Sequence, residues 1–211
     1  MKRYGQVSAF ILCGGASSRM GKAKGLLEID GRPLILRMAR LLEPVVSAVT
    51  AVGSADRYAL LGLTVIEDLR FGDPDEKGTS AGPLAGIATA LNATRTDWNL
   101  ILACDLPYLT REWLDWLLGR AVVSEEQIVL PRTAGGLEPL AGVYRRECAE
   151  GITAALQRGV RKVSDAIEPF RVEFVTERDW RHIDAEGRVL RNMNTPEEYE
   201  EARSWLENPH G

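Results

Sequence analysis

The residues best able to do chemistry in this chain lie in a glycine-rich segment near its beginning. A predicted strand at residues 7–13 leads into the pair Gly14–Gly15, and the cationic side chains that follow are Arg19, Lys22 and Lys24. Small residues let backbone N–H groups approach phosphate oxygens closely, and the cationic side chains add positive charge. The segment therefore predicts a site that binds a polyphosphate.

Two familiar phosphate-binding motifs do not fit this segment. A P-loop has four residues between its glycines and then Lys followed by Ser or Thr. Here five residues separate Gly15 from Gly21, and Ala23 follows Lys22. The dinucleotide-binding motif G-x-G-x-x-G also fails, because Gly14 and Gly15 are adjacent. We therefore expect a phosphate site of another type.

Carboxylates follow two further predicted strands. Asp105 comes directly after the apolar run Trp98–Cys104, and Asp68 follows a short strand at residues 64–67. Ligands of open α/β sheets bind beyond the carboxyl ends of the strands, so we expect Asp105 to lie beside the glycine-rich segment. There it could bind Mg²⁺ with few protein ligands, the others coming from phosphates and water. The alternatives are a turn cap for Asp105 and plain solvation of the strand end for Asp68.

The composition excludes several other kinds of site. The chain of 211 residues has 26 Lys and Arg against 30 Asp and Glu, a net charge of −4, which disfavours a general nucleic-acid binder. Residues 1–27 nevertheless contain no acid, which suggests a local anion site. With two histidines, and three cysteines that form no C-x-x-C pair, a zinc site and a Ser-His-Asp triad are not expected.

Apolar runs alternate with helical patterns along the whole chain, which predicts a mostly parallel sheet with helices on both faces. We therefore expect a single doubly wound α/β domain over residues 1–211. The predicted strands are 7–13, 48–52, 64–67, 98–104, 127–130, 137–144 and 171–175. The predicted helices are 33–45, 148–157, 163–167, one that begins at Pro83, one capped by Thr110, and one that begins at Pro196 within a capping box at Thr195–Glu198.

Two segments and the cellular location complete these expectations. Residues 71–81 are polar and rich in Gly, Pro and Asp, typical of either a surface loop or a mobile flap beside a site. Gly82–Gly86 opens a helix, whose first N–H groups could face a nucleotide or could merely begin the helix. No run of 18 apolar residues and no signal peptide is evident, so we expect a cytoplasmic protein without a membrane span.

Short motifs occur along the chain in a characteristic order. They are Leu12–Gly15, Arg19–Gly21, Lys24–Leu27, Gly31–Leu34, Asp68, Gly82–Gly86, Cys104–Pro107, Pro139–Leu140, Val143–Tyr144 and Asn192–Glu197. This order resembles the molybdenum cofactor guanylyltransferase family, also called the molybdopterin-guanine dinucleotide biosynthesis protein A family. The resemblance implies the nucleotide-diphospho-sugar transferase-like fold of the nucleotidyltransferases.

The resemblance also implies a reaction. The terminal phosphate of molybdopterin attacks the α-phosphorus of GTP, pyrophosphate leaves, and the guanine dinucleotide form of the cofactor is produced. Because a phosphate nucleophile is already anionic, the reaction needs positioning and charge neutralisation and no general base. The implied partners are GTP, molybdopterin and other proteins that make or accept the cofactor, with Mg²⁺ as the cofactor of the enzyme.

The same resemblance assigns roles to individual residues. The implied nucleotide-binding residues are Leu12, Cys13, Gly14, Gly15, Lys24, Asp68 and Asp105. Arg19 and Lys24 are implied to be catalytic through their contacts with the phosphates. Asp105 is implied to bind Mg²⁺, and Asn194 matches a position where related transferases often carry a metal-binding acid.

Three functions remain open at this point. The first is guanylyl transfer to molybdopterin, and the second is a cytidylyltransferase acting on molybdopterin or a sugar-phosphate nucleotidyltransferase. The third is a nucleotide-sensing or scaffold protein with an inactive site. Gly14–Gly15 and Asn194–Pro196 favour the first. Ala23, which stands where the family often has Asp before the lysine, is the only support for the third function. Two further departures from the family's pattern are Cys13 in place of the usual Ala and the absence of an expected asparagine at residues 50–53.

Overall fold

Strands and helices alternate along the residues that the computed structural model describes, which are 2–14, 23–69 and 82–207. The strands are β1 (Tyr4–Leu12), β2 (Glu28–Ile29), β3 (Arg32–Pro33), β4 (Val46–Val52), β5 (Val65–Ile66), β6 (Trp98–Ala103), β7 (Ile128–Thr133), β8 (Gly136–Leu137), β9 (Ala141–Arg145) and β10 (Val172–Thr176). The helices are α1 (Leu34–Leu42), α2 (Ala55–Tyr58), α3 (Pro83–Ala93), α4 (Arg111–Ala121), α5 (Cys148–Gln157), α6 (Val163–Ile167), α7 (Glu177–Trp180) and α8 (Pro196–Glu207), with 3₁₀ turns at Lys24–Leu26 and Ala59–Leu61. None of these described helices combines the length and apolar character of a membrane span.

Over the described residues, the main sheet has eight strands in the order β10-β7-β9-β6-β1-β4-β5, and β8 pairs with β7. The central strand β1 is parallel to both β4 and β6. Strand β9 is antiparallel to its neighbours β6 and β7, and β10 is parallel to β7. The sheet is therefore mostly parallel, as the sequence predicts, while β2 and β3 form a separate hairpin.

Helices cover both faces of this sheet because the strands are apolar on both. In β1, Val7, Ala9 and Ile11 face a buried layer that includes residues of α1 and α4. The alternate residues Phe10 and Leu12 face a second layer with α3, α5 and α6. This arrangement confirms the doubly wound α/β class, while the prediction of one domain over residues 1–211 remains a prediction.

One predicted strand, over residues 137–144, is contradicted by the structure, and α2, α7 and the β2–β3 hairpin were not predicted. The prediction of a single strand over residues 137–144 is wrong, because β8 ends at Leu137 and β9 begins at Ala141. Between them the Ala141 N–H donates to the Glu138 carbonyl oxygen at 3.0 Å, which closes a turn around Pro139. Proline has no N–H to donate to a sheet, so it interrupts the apolar run. The loop predicted at residues 71–81 lies outside the described residues.

Candidate active site

The candidate site lies at the carboxyl edge of β1, β4 and β6, where backbone hydrogen bonds continue beyond the strands. The Cys13 N–H donates to the Val52 carbonyl oxygen at 2.9 Å, and the Cys104 N–H donates to the Leu12 carbonyl oxygen at 3.1 Å. The residues that follow β1 and β6 therefore start from adjacent positions. This places Asp105 beside the beginning of the glycine-rich segment, at the edge where open α/β sheets bind ligands.

Lys24 joins the predicted residues of this edge. Its Nζ donates to Asp105 Oδ2 at 2.7 Å and to Asn194 Oδ1 at 2.6 Å. The Lys24 and Asp105 side chains are only 19% and 16% exposed, so water screens this pair less than it screens a surface ion pair. The structure thus brings Lys24, Asp105 and Asn194 together, and their roles in binding and catalysis remain predictions.

Asn194 is held in place by the beginning of α8. The Met193 N–H donates to the Asp105 carbonyl oxygen at 3.0 Å, which ties this segment to the end of β6. Glu198 Oε2 accepts from the N–H groups of Asn194 and Thr195 at 2.6 and 3.0 Å, and the Glu198 N–H donates to Thr195 Oγ1 at 3.2 Å. The capping box predicted at Thr195–Glu198 is confirmed, and it also fixes the backbone of Asn194.

Gly14 lies directly against Asp68. A Cβ added to Gly14 would be 2.5 Å from Asp68 Oδ2, so only glycine allows this approach. Desolvation by the surrounding chain raises the pKa of Asp68 above its usual range. The structure thus places two of the predicted nucleotide-binding residues side by side.

Gly53 supports this contact, and the sequence did not identify it. Its φ of 154° is rare for residues with a side chain, and an added Cβ would be 3.1 Å from the Gly14 nitrogen and from Cys13 Sγ. A glycine directly after β4 was the available signal, because close backbone approach at a strand end favours glycine.

Leu12 and Cys13 contribute backbone and packing to the site. Both side chains are buried, at 9% and 5% exposure. Leu12 packs against Gly86, where an added Cβ would be 2.9 Å from Leu12 Cδ1, so the first turns of α3 lie beside the end of β1. Burial raises the pKa of the Cys13 thiol to about 12, and its Sγ donates to the Val52 carbonyl oxygen at 3.2 Å. A neutral, buried thiol is a poor nucleophile.

Two predicted site residues lie outside the described part of the chain. Gly15 and Arg19 fall within residues 15–22, whose structure is not described. Their assignment to the nucleotide site and to catalysis therefore remains a prediction.

The oxygen atoms beside Lys24 fit a hard divalent cation. Asp105 Oδ2 and Asn194 Oδ1 both lie within 2.7 Å of one ammonium nitrogen, so a single cation can reach both. Mg²⁺ in nucleotide sites usually takes one or two protein oxygens and completes its shell with phosphates and water. Within residues 2–14, 23–69 and 82–207, no group of three His, Cys, Asp or Glu residues could form a larger metal cage. The described residues fit a Mg²⁺ ion that binds together with a nucleotide.

The mostly parallel sheet, with the Lys24–Asp105 pair at its carboxyl edge, defines an α/β protein whose candidate site lies where open sheets bind ligands. A family model described as the MobA-like NTP transferase domain matches residues 9–176. Because this match covers most of the chain, the chain belongs to the MobA-like NTP transferase family. Its general activity is that of a nucleotidyltransferase.

Individual relatives agree with this family. The chain is 33% identical over 204 residues to a probable molybdenum cofactor guanylyltransferase from Pelotomaculum thermopropionicum, and the match covers 96% of this chain and 95% of that protein. The solved structure of molybdopterin-guanine dinucleotide biosynthesis protein A from Archaeoglobus fulgidus matches with a TM-score of 0.79 at 24% identity, over 95% and 99% of the two chains. The first match confirms the family that the sequence motifs suggested, and the second shows that the fold is shared.

The fold itself is shared more widely. The structure of 2-C-methyl-D-erythritol 4-phosphate cytidylyltransferase from Thermus thermophilus matches with a TM-score of 0.68 at 15% identity, over 95% of this chain and 98% of that one. At this level of identity the likeness shows the fold alone. The predicted nucleotide-diphospho-sugar transferase-like fold is confirmed.

The raised pKa of Asp68 predicts that its ionised side chain lowers the free energy of unfolding. Its folded-state pKa lies above the unfolded-state value, so the ionised carboxylate destabilises the fold at neutral pH, and this cost disappears as the pH falls through the raised pKa. Asp68→Asn should therefore unfold at the same or a higher temperature than the wild type at pH 7, with the difference shrinking toward pH 4. Its affinity for nucleotide should fall.

Thermal denaturation at several pH values, with nucleotide titrations alongside, measures both effects. Asp97→Asn, which changes an exposed carboxylate before β6, serves as the control and should alter neither. A clear loss of stability at pH 7 in Asp68→Asn, with unchanged nucleotide affinity, would contradict the prediction that Asp68 is a destabilising residue kept for nucleotide binding.

Proposed function

We propose that this chain transfers the guanylyl group of GTP to molybdopterin, releasing pyrophosphate and forming the guanine dinucleotide form of the cofactor. The observation that carries the proposal is the Lys24 ammonium held 2.7 Å from Asp105 at the sheet edge where the glycine-rich segment begins. Support for the guanylyl group and for molybdopterin comes from the curated relative, which is named a probable molybdenum cofactor guanylyltransferase.

The reaction exchanges one phosphate linkage for another. An oxygen of the terminal phosphate of molybdopterin forms a bond to the α-phosphorus of GTP. The bond from that phosphorus to the oxygen bridging to the β-phosphorus breaks, and pyrophosphate leaves with the electron pair. No proton has to be removed from the nucleophile, so the protein must mainly align the reactants and neutralise charge.

Lys24 is the residue best placed to neutralise that charge. A lysine ammonium has three N–H donors, and two of them are used by Asp105 and Asn194. Before nucleotide and metal bind, these two oxygens hold the ammonium beside the site, and its third N–H can donate to an arriving phosphate oxygen. A preorganised cation acts most strongly where charge develops, which in this reaction is on the departing pyrophosphate. Arg19 is expected to assist there.

Asp105, with Asn194, would hold Mg²⁺ during the reaction. The ion would supply charge neutralisation and polarisation at the phosphate oxygens, as metal ions do in phosphoryl transfer. The oxygens that would hold it now accept hydrogen bonds from Lys24. Lys24 would therefore turn toward the phosphates when the nucleotide and its metal are bound.

Nucleotide preference distinguishes this function from its nearest alternative. Guanine selection would use the backbone groups of Gly14 and of the start of α3, which lies beside Leu12. The Asp68 carboxylate, which lies against Gly14, would add a charged acceptor. We expect GTP to bind at least about tenfold more tightly than CTP, a difference of about 1.4 kcal/mol. Calorimetry with GTP, CTP, ATP and UTP, each with Mg²⁺, measures the preference. Equal affinities or a preference for CTP would favour a cytidylyltransferase acting on molybdopterin or a sugar-phosphate nucleotidyltransferase.

Replacement of Lys24 tests whether its charge acts in catalysis. Lys24→Ala should lower the rate of pyrophosphate release from GTP and molybdopterin by about 10²-fold or more, with a smaller effect on GTP affinity. Lys2→Ala is the matched control, because Lys2 is an exposed lysine beside Tyr4, at the opposite end of β1. Similar rate losses in the two variants would show that Lys24 is only part of a general positive field.

Replacement of Asp105 separates the metal site from a structural role. Asp105→Asn keeps the size of the side chain and an oxygen that can accept from Lys24, but it removes the negative charge. Turnover in the presence of Mg²⁺ should be abolished while the circular dichroism spectrum stays that of the wild type. A folded variant that retains most of its activity would exclude Asp105 as a metal ligand. A loss of folding would instead indicate the turn cap.

A further inference from the structure

Tyr58 contacts the chain on both sides of the glycine-rich segment, at Cys13 just before it and at Gly25 just after Lys24. Its side chain is fully buried, and its Oη donates to the Cys13 carbonyl oxygen at 3.3 Å, just before the segment begins at Gly14. Its ring lies against Gly25, where an added Cβ would be 3.3 Å from both Tyr58 Cε1 and Oη. One side chain therefore contacts the chain where it leaves the sheet and where it returns beside Lys24.

The position of Tyr58 is itself tightly fixed. It is the last residue of α2, which follows β4, and it belongs to the buried layer that contains Ile35 of α1. A Cβ at Gly25 would also be 3.5 Å from Ile35 Cβ, so the backbone at Gly25 lies between two packed side chains. Burial raises the pKa of Tyr58, so its hydroxyl remains a neutral donor to the Cys13 carbonyl oxygen.

Lys24 depends on the position of Gly25 through a single turn. The two residues belong to the 3₁₀ turn Lys24–Leu26, which the Leu27 N–H closes by donating to the Lys24 carbonyl oxygen at 3.1 Å. The Lys24 ammonium makes hydrogen bonds of 2.7 and 2.6 Å, and such bonds tolerate little displacement. A shift of Gly25 would therefore move Lys24 away from Asp105.

We infer that Tyr58 is a positioning residue for catalysis: it holds Cys13 and Gly25 so that Lys24 points at Asp105 and at the phosphates. Its kinetic consequences rest on the proposed guanylyl transfer, whereas its effect on Lys24 does not. A tyrosine with a merely structural role is available for comparison. Tyr4 is also buried, and its Oη donates to the carbonyl oxygen and to Oδ1 of Asp115 at 2.9 and 2.8 Å, at the opposite end of β1.

The first test follows Lys24 without any nucleotide. Wild-type protein, Tyr58→Phe and Tyr4→Phe are labelled with trace acetic anhydride, and acetylation of each lysine is quantified by mass spectrometry, with the exposed Lys162 as the reference. Freeing Lys24 from its ion pair increases the reactivity of its amine. We expect several-fold higher labelling of Lys24 in Tyr58→Phe and no change in Tyr4→Phe. Unchanged labelling in Tyr58→Phe overturns the inference.

A second variant approaches the same contact from its other side. Gly25→Ala places a methyl group against the Tyr58 ring and should raise the labelling of Lys24 as Tyr58→Phe does. Gly5→Ala is the matched control, because a Cβ at Gly5 meets nothing within 4 Å. If the extent of Lys24 acetylation is the same in Gly25→Ala as in Gly5→Ala, the contact between Tyr58 and Gly25 does not position Lys24.

The kinetic test asks whether Tyr58 acts through Lys24. Tyr58→Phe should lower kcat for pyrophosphate release by about tenfold and change KM for GTP less, since misplaced catalytic groups mainly slow the chemical step. In the Lys24→Ala background the same change should have little further effect. Additive losses would overturn the inference. If wild-type protein does not use GTP, the proposed function is wrong, and the labelling of Lys24 still decides the role of Tyr58.

Discussion

The site depends on one ammonium group shared between two oxygens. Lys24 Nζ joins Asp105 and Asn194, which lie 81 and 170 residues away in the sequence. Because the pair is largely buried, the charge of Lys24 must be matched by a nearby acceptor, and Asp105 supplies it. These contacts therefore join three segments of the chain at one point: the end of β6, the segment before α8 and the turn that carries Lys24.

Small residues at the same edge make room for this cluster and for a nucleotide. Gly14 admits the Asp68 carboxylate, and Gly53 admits the backbone of Cys13 and Gly14. The buried side chains of Leu12 and Cys13 face the core, which leaves backbone groups toward the open edge. The chemistry expected here needs charge and alignment rather than a general base, and an edge of glycines, one lysine and carboxylates suits that demand.

The sequence predicted the parts of this arrangement that local patterns encode. The apolar runs located β1 and β6, Pro83 marked the start of α3, and the motif at Thr195–Glu198 marked the cap of α8. Strand order then placed Asp105 near the glycine-rich segment. The contact between Lys24 and Asn194 was not predictable in this way, since no local pattern links residues 170 positions apart. Gly53 and Tyr58 were missed because they act through backbone approach and packing.

The central claim is that Lys24, held by Asp105 and Asn194, is the cation that receives the phosphates. A crystal structure of the protein with Mg²⁺ and a non-hydrolysable GTP analogue tests it most directly. We expect Lys24 Nζ to lie within hydrogen-bonding distance of a phosphate oxygen, with Asp105 among the metal ligands. Phosphates bound elsewhere, with Lys24 still hydrogen-bonded to both Asp105 and Asn194, would contradict the claim.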